Sequence, residues 1–169
     1  LRAQTNIAPL ATANASNCST GPCSALNDLN YGTCGTQLMW ISTATPPSST
    51  IGVDFIEFTF PSVQSFDRIT IYHAQTTGRF LTGGTMQYWD GSAWVTFHIF
   101  SSLPMNCDNT VIFPVQTTTK FRITAFQMTG TGQLSNPNFR EIEIFSAVNP
   151  NAGPAQPPIA NFYAPDTVW

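Results

Sequence analysis

The run Met86-Gln87-Tyr88-Trp89-Asp90-Gly91-Ser92-Ala93-Trp94-Val95-Thr96-Phe97 admits few structures. Two β-prone arms flank Asp90-Gly91. That pair marks a hairpin, because Gly91 takes a positive φ at no steric cost. Trp89 and Trp94 then offer large apolar surfaces on the two arms close to the turn. A hairpin in mid-chain predicts antiparallel β structure on both sides of it. Residues 51–60 place Ile51, Val53 and Phe55, then Phe58 and Phe60, with one change of phase near Phe55-Ile56; this predicts a bulge or a strand buried on both faces. Pro61 ends that run. Residues 66–73 alternate Ile69 and Ile71 against Arg68, Thr70 and Tyr72. Residues 120–126 alternate Phe121, Ile123 and Ala125 against Arg122 and Thr124, and residues 139–145 alternate Ile142 and Ile144 against Glu141 and Glu143. Residues 110–115 form a short strand with Pro114 near an edge, and residues 5–13 a first extended segment. The sum is an all-β chain of about eight short antiparallel strands, a β-sandwich or jelly roll.

The side-chain chemistry excludes several functions. Only 9% of the 169 residues are charged, against about 25% in a typical globular domain. The net charge is −3 and no basic run occurs, which argues against nucleic acid and against an anionic membrane surface. No apolar run approaches the ~20 residues of a membrane-spanning helix. The sequence holds no nucleophile elbow, P-loop, dinucleotide fingerprint or His-Glu-x-x-His motif. Glu141 and Glu143 stand two apart on a strand and point the same way, close enough to bind a cation but with no proton-transfer partner in sight.

Cys18, Cys23, Cys34 and Cys107 are even in number, which with an extracytoplasmic chain favours disulfides. Of the three possible connectivities, Cys18–Cys23 as a local staple and Cys34–Cys107 as a long-range tie is preferred. A zinc site is disfavoured, since no Cys-x-x-Cys pair occurs and His73 and His98 stand alone in strand-like runs. Residues 24–36 are dense in oxygen side chains and turn formers, suited either to an ordinary Asx-turn loop or to wrapping a hard cation. Residues 1–4 read as a signal-peptide remnant or as an arbitrary boundary. Residues 5–147 read as one domain, 148–158 as a Pro-rich linker, and 159–169 as the first strand of a following module.

The order of these features resembles the discoidin family, also called coagulation factor 5/8 type C domains, of the galactose-binding-like fold, whose bacterial members include family 32 carbohydrate-binding modules. The residues that carry the resemblance are Asn6-Ile7-Ala8, Ala25-Leu26-Asn27-Asp28 with Thr33 and Trp40, Val53-Asp54-Phe55, Phe66-Asp67-Arg68-Ile69-Thr70-Ile71, Asp90-Gly91 with Trp94, Lys120-Phe121-Arg122-Ile123 and Glu141-Ile142-Glu143-Ile144. The Cys18/Cys23 pair and Tyr88-Trp89 before the turn depart from the family pattern. The resemblance implies a structural calcium held by the side chains of Asp28, Thr33 and Glu141 and a backbone oxygen near Asn30. It also implies a glycan site on loops at one end of the sandwich, onto which His73, Arg79, Phe126 and Gln127 map. Pro158-Ile159-Ala160-Asn161-Phe162 resembles the opening strand of PKD-type modules. The function implied is a non-catalytic, extracellular glycan-binding module of a larger secreted or surface protein. The alternative is a structural or protein-contact domain of a surface adhesin or filament, without sugar binding.

Overall fold

A computed structural model describes residues 4–18, 21–34, 49–73, 80–129 and 139–148. The expected linker, the tail module, Trp40 and Arg79 lie outside them. Among the described residues, six strands form: β1 (Thr12–Ala15), β2 (Phe55–His73), β3 (Leu81–Trp89), β4 (Trp94–Phe100), β5 (Asp108–Met128) and β6 (Phe139–Ser146). All the pairings are antiparallel, in the order β1-β2-β5-β3-β4, with β6 pairing the second part of β2 along the edge whose first part holds β1.

Where about eight short strands were expected, the described residues form six, because β2 and β5 are long and each serves two layers. The first part of β2 pairs with β1 and with the last part of β5, while its second part pairs with β6 and with the first part of β5. The two prolines that suggested strand ends sit where the ladder is already interrupted. Pro61 lies within the register shift between Thr59 and Gln64, and Pro114 lies opposite the shift between Phe66 and Arg68. A missing N–H costs little at a bulge, so the strand runs through. Residues 51–54, expected as strand, form a turn: Gly52 has φ +83°, and Ile51 and Val53 are exposed. The first extended segment is likewise broken, by a 3-10 turn at Ala8–Leu10 that contains Pro9.

Aromatic rings join the layers. Phe66 of the second layer lies 4.8 Å from Phe121 of the first and 5.9 Å from Phe113, and Phe58 stacks on Phe121 at 5.3 Å. The expected hairpin forms, with Trp89 paired to Trp94 and their rings 5.5 Å apart, edge to face. Asp90 shapes its turn by accepting from the amides of Ser92 and Ala93, and Gly91 has φ +107°. Both preferred disulfides, Cys18–Cys23 and Cys34–Cys107, are present. Among the described residues, no helix is long and apolar enough to cross a membrane.

Candidate functional site

One end of the sandwich gathers the strand termini that the resemblance singled out. His73 ends β2, and its amide donates to the Cys107 carbonyl at 2.7 Å. Phe80 precedes β3, and its carbonyl accepts from the Thr129 amide at 2.8 Å. Residues 74–79 and 130–138, which contain Arg79 and bridge these termini, lie outside the described residues.

The structure brings His73 and Phe126 together, but beneath the surface. Their rings lie 5.8 and 5.7 Å from Phe139, and the residues are only 1% and 2% exposed. Neither side chain reaches the surface on which the resemblance placed it. A ring buried against Phe139 presents no face to a sugar, and His73 packs as a core residue whose Nε2 has no hydrogen-bond partner. Burial, helped by the nearby Arg140 charge, holds the His73 imidazole down at about 4. Gln127, one residue beyond Phe126, is exposed, and its carbonyl accepts from the Thr82 hydroxyl at 3.1 Å.

The glycine opposite Gln127 matters here. A Cβ at Gly83 would lie 2.6 Å from Gln127 Oε1 and 2.7 Å from the Phe100 carbonyl oxygen. The amide side chain can move aside; the backbone oxygen cannot. Gly83→Ala is therefore expected to destabilise the domain by about 1–3 kcal/mol and to displace Gln127. Urea unfolding checks the first effect, and the Gln127 side-chain amide resonances check the second.

His73 gives the end a pH signature. Its folded pKa lies below the ordinary 6.5, so the unfolded chain takes up the proton first as pH falls. Stability tied to neutral His73 is full above about 6.5 and is lost progressively down to about 4, by about 3 kcal/mol in all. The Glu141 carboxyl, pushed up to about 7 by burial, titrates over the same range with the opposite sign. The readout is thus the difference between wild type and His73→Leu. Their unfolding free energies should diverge between pH 7 and pH 4, with wild type losing more; parallel profiles would contradict the burial of a neutral imidazole.

A second cluster forms on the outward side of β6, where residues 27–34 cover it. Glu141 is fully buried, and neither carboxylate oxygen has a well-formed hydrogen bond. The backbone amides of Leu29 and Asp28 are its nearest moderating donors, while the Asp28 charge works with burial to raise it. Asp28 is exposed and folds back as an Asx turn, accepting from the Asn30 amide at 2.9 Å. Positive φ at Leu29 (68°) and Gly32 (54°) curls the segment, and Thr33 lies exposed at its end. Asp28, Asn30 and Thr33 thus share the short loop that lies against Glu141. Among the described residues, no three His, Cys, Asp or Glu side chains cluster. A cation here would rely on two carboxylates with hydroxyl and backbone oxygens, a hard donor set suited to calcium. An unpaired buried carboxylate beside a second carboxylate fits that ion.

Sequence reasoning missed the residue that holds this end together. Arg140 is 4% exposed, and its guanidinium donates to four carbonyls: Tyr31, Gly32, His73 (2.6 Å) and Cys107 (3.3 Å). Tyr31 and Tyr72 meet edge to face at 4.9 Å, and each donates its hydroxyl to Glu143 at 2.8 Å. Residues 27–34, the end of β2 and the Cys107 loop are therefore clamped to β6.

No family model matches the sequence, and no curated protein matches it. Solved structures do match. The family 32 carbohydrate-binding module of C. perfringens NanJ, in complex with galactose, is 17% identical with a TM-score of 0.65, over 85% of this chain and 100% of that one. The fold is the galactose-binding-like β-sandwich. The corresponding module of AlyQ, in complex with 4,5-unsaturated mannuronic acid, is 17% identical with a TM-score of 0.62, over 86% of this chain and all of that one. SpGH29 also matches, at 16% identity and a TM-score of 0.62, but this chain spans only 28% of its length.

Proposed function

We propose that this chain is a non-catalytic glycan-binding module of a larger secreted or surface protein. The observation that carries the reading is the likeness, over their whole length, to family 32 carbohydrate-binding modules, one of them in complex with galactose. Two disulfides support an oxidising, extracytoplasmic setting. The engagement of two carboxylates supports a non-catalytic role: Glu143 accepts from two tyrosines and Glu57 pairs with Lys120 at 3.0 Å. In this reading the sugar sits at the loop end, where Arg79 donates paired hydrogen bonds to adjacent hydroxyls and Gln127 adds an amide. The burial of His73 and Phe126 favours the alternative, a structural or protein-contact domain without sugar binding. Calorimetric titration of the full chain with galactose separates the two. Saturable binding, weakened about tenfold or more by Arg79→Ala, is expected of the glycan module. A flat titration favours the contact domain.

Calcium completes the proposal. Asp28 and Glu141 would hold it, with the Thr33 hydroxyl and a backbone oxygen near Asn30. The Tyr31 and Gly32 carbonyls are engaged by Arg140, which leaves the earlier part of the loop to supply that oxygen. The ion's role is structural: it neutralises a buried carboxylate and ties residues 27–34 to β6.

A further inference from the structure

The outward face of the larger layer carries a cluster that the loop-end site leaves unused. Phe58, Phe121 and Met86 face the core, so alternation turns Glu57, Lys120, Arg122, Gln87, Trp89 and Trp94 outward. Glu57, Arg122 and Gln87 stand in register across three strands, and Trp89 pairs with Trp94 on the next row. The Arg122 guanidinium lies 4.2 Å from the Trp94 ring centre, and Lys120 Nζ lies 5.3 Å from it. Buried Gln87 orients the guanidinium by accepting from Arg122 Nε at 2.9 Å. Among the described residues, no hydrogen bond engages the two Nη groups. A guanidinium stacked on an indole keeps its in-plane N–H donors open, paired and fixed in direction. Trp89, Trp94, Lys120 and Arg122 are all half-buried, so the cluster reaches solvent. Beside Trp89 opens a depression of about 360 Å3 that extends to Asp90 and residues 117–119.

The charges are uneven. The chain has six Lys and Arg residues in all, and two of them meet on one tryptophan ring with a single carboxylate, Glu57, beside them. Trp89, which carries neither cation, offers flat apolar surface for the C–H face of a pyranose, while the Trp94 ring is taken up by Arg122 and Lys120. Gly52 lies against the guanidinium, where a Cβ would stand 3.2 Å from Nη2. The Nη pair, engaged by no described residue, suits a carboxylate, which it would hold through two parallel hydrogen bonds. We infer that this face is a second saccharide site, selective for sugars that carry a carboxylate. The inference takes its ligand class from the glycan-binding reading and adds a separate place and a charge preference.

The test is an NMR titration of the full chain with trigalacturonate and, in parallel, with neutral β-1,4-galactotriose. Trigalacturonate should shift the indole N–H signals of Trp89 and Trp94 and the Arg122 Nε signal in a saturable way. The neutral trisaccharide should bind this face about tenfold more weakly, and Arg122→Gln should weaken trigalacturonate by about tenfold or more. Trp94→Ala should do the same; should it fail to fold, Arg122→Gln, which keeps a polar side chain of similar reach, still decides. Shifts confined to the loop-end amides of Phe80 and Gln127 would overturn the inference, by placing the acid at the other site. So would neutral sugar binding with no response to trigalacturonate, which leaves the glycan-binding reading standing. Silence towards both sugars in a folded protein counts against both.

Discussion

Arg140→Met is expected to lower the free energy of unfolding by about 4 kcal/mol, and the melting temperature by about 10 °C. The side chain is buried, and its guanidinium serves carbonyls from three separate segments. Methionine keeps much of the volume but offers no donor, so those carbonyls lose a charged partner while remaining largely shielded from water. Arg140→Lys should recover little, because one ammonium cannot reproduce a planar fork that spans the His73, Tyr31 and Cys107 carbonyls. Reversible urea unfolding measures the effect. A loss below about 1 kcal/mol would show that the clamp is ornamental. The substitution should also loosen residues 27–34, seen as faster amide exchange at Tyr31 and Gly32.

The proposed calcium would supply the second large effect. At a free concentration of 100 to 1,000 times its dissociation constant, an ion that binds only the folded state stabilises it by about 3–4 kcal/mol. Wild type should therefore melt clearly higher in calcium than in chelator, and Asp28→Ala should lose most of that difference. Glu141→Gln gives the sharper contrast, because its effect changes sign. In chelator it removes a buried, unpaired carboxylate and should leave stability unchanged or raised. In calcium it removes a ligand and should lower stability relative to wild type. Identical melting curves of wild type in calcium and chelator would contradict the metal assignment.

The elements that sequence could read were those with a local rule behind them. The Asp90-Gly91 hairpin and the alternations in residues 66–73 and 139–145 all reappear with the expected faces buried. The strand count was less legible. Pro61 and Pro114 are strand breakers by local chemistry, and only the register shifts beside them make them harmless. The turn at residues 51–54 was hidden because Ile51 and Val53 continue the alternation, while Gly52, which takes the positive φ, carried the contrary signal. The placement of His73 and Phe126 in the core depends on Phe139, far away in the chain, and no local pattern announces it. Arg140 was only partly legible. A cation in the apolar run of β6 demands acceptors, but a register shift lies beside it and its guanidinium goes to the Tyr31, Gly32 and Cys107 carbonyls, which alternation does not announce. The outward cluster of Trp94 and Arg122 depends on register across two strand pairs, which alternation alone does not fix.

A glycan array probed with the calcium-loaded full chain tests the central claim most directly. The account predicts binding to a defined class of sugars, abolished by Arg79→Ala for loop-end ligands. A blank array from protein that is folded and responds to calcium would contradict it, and would turn the reading to a structural or protein-contact domain.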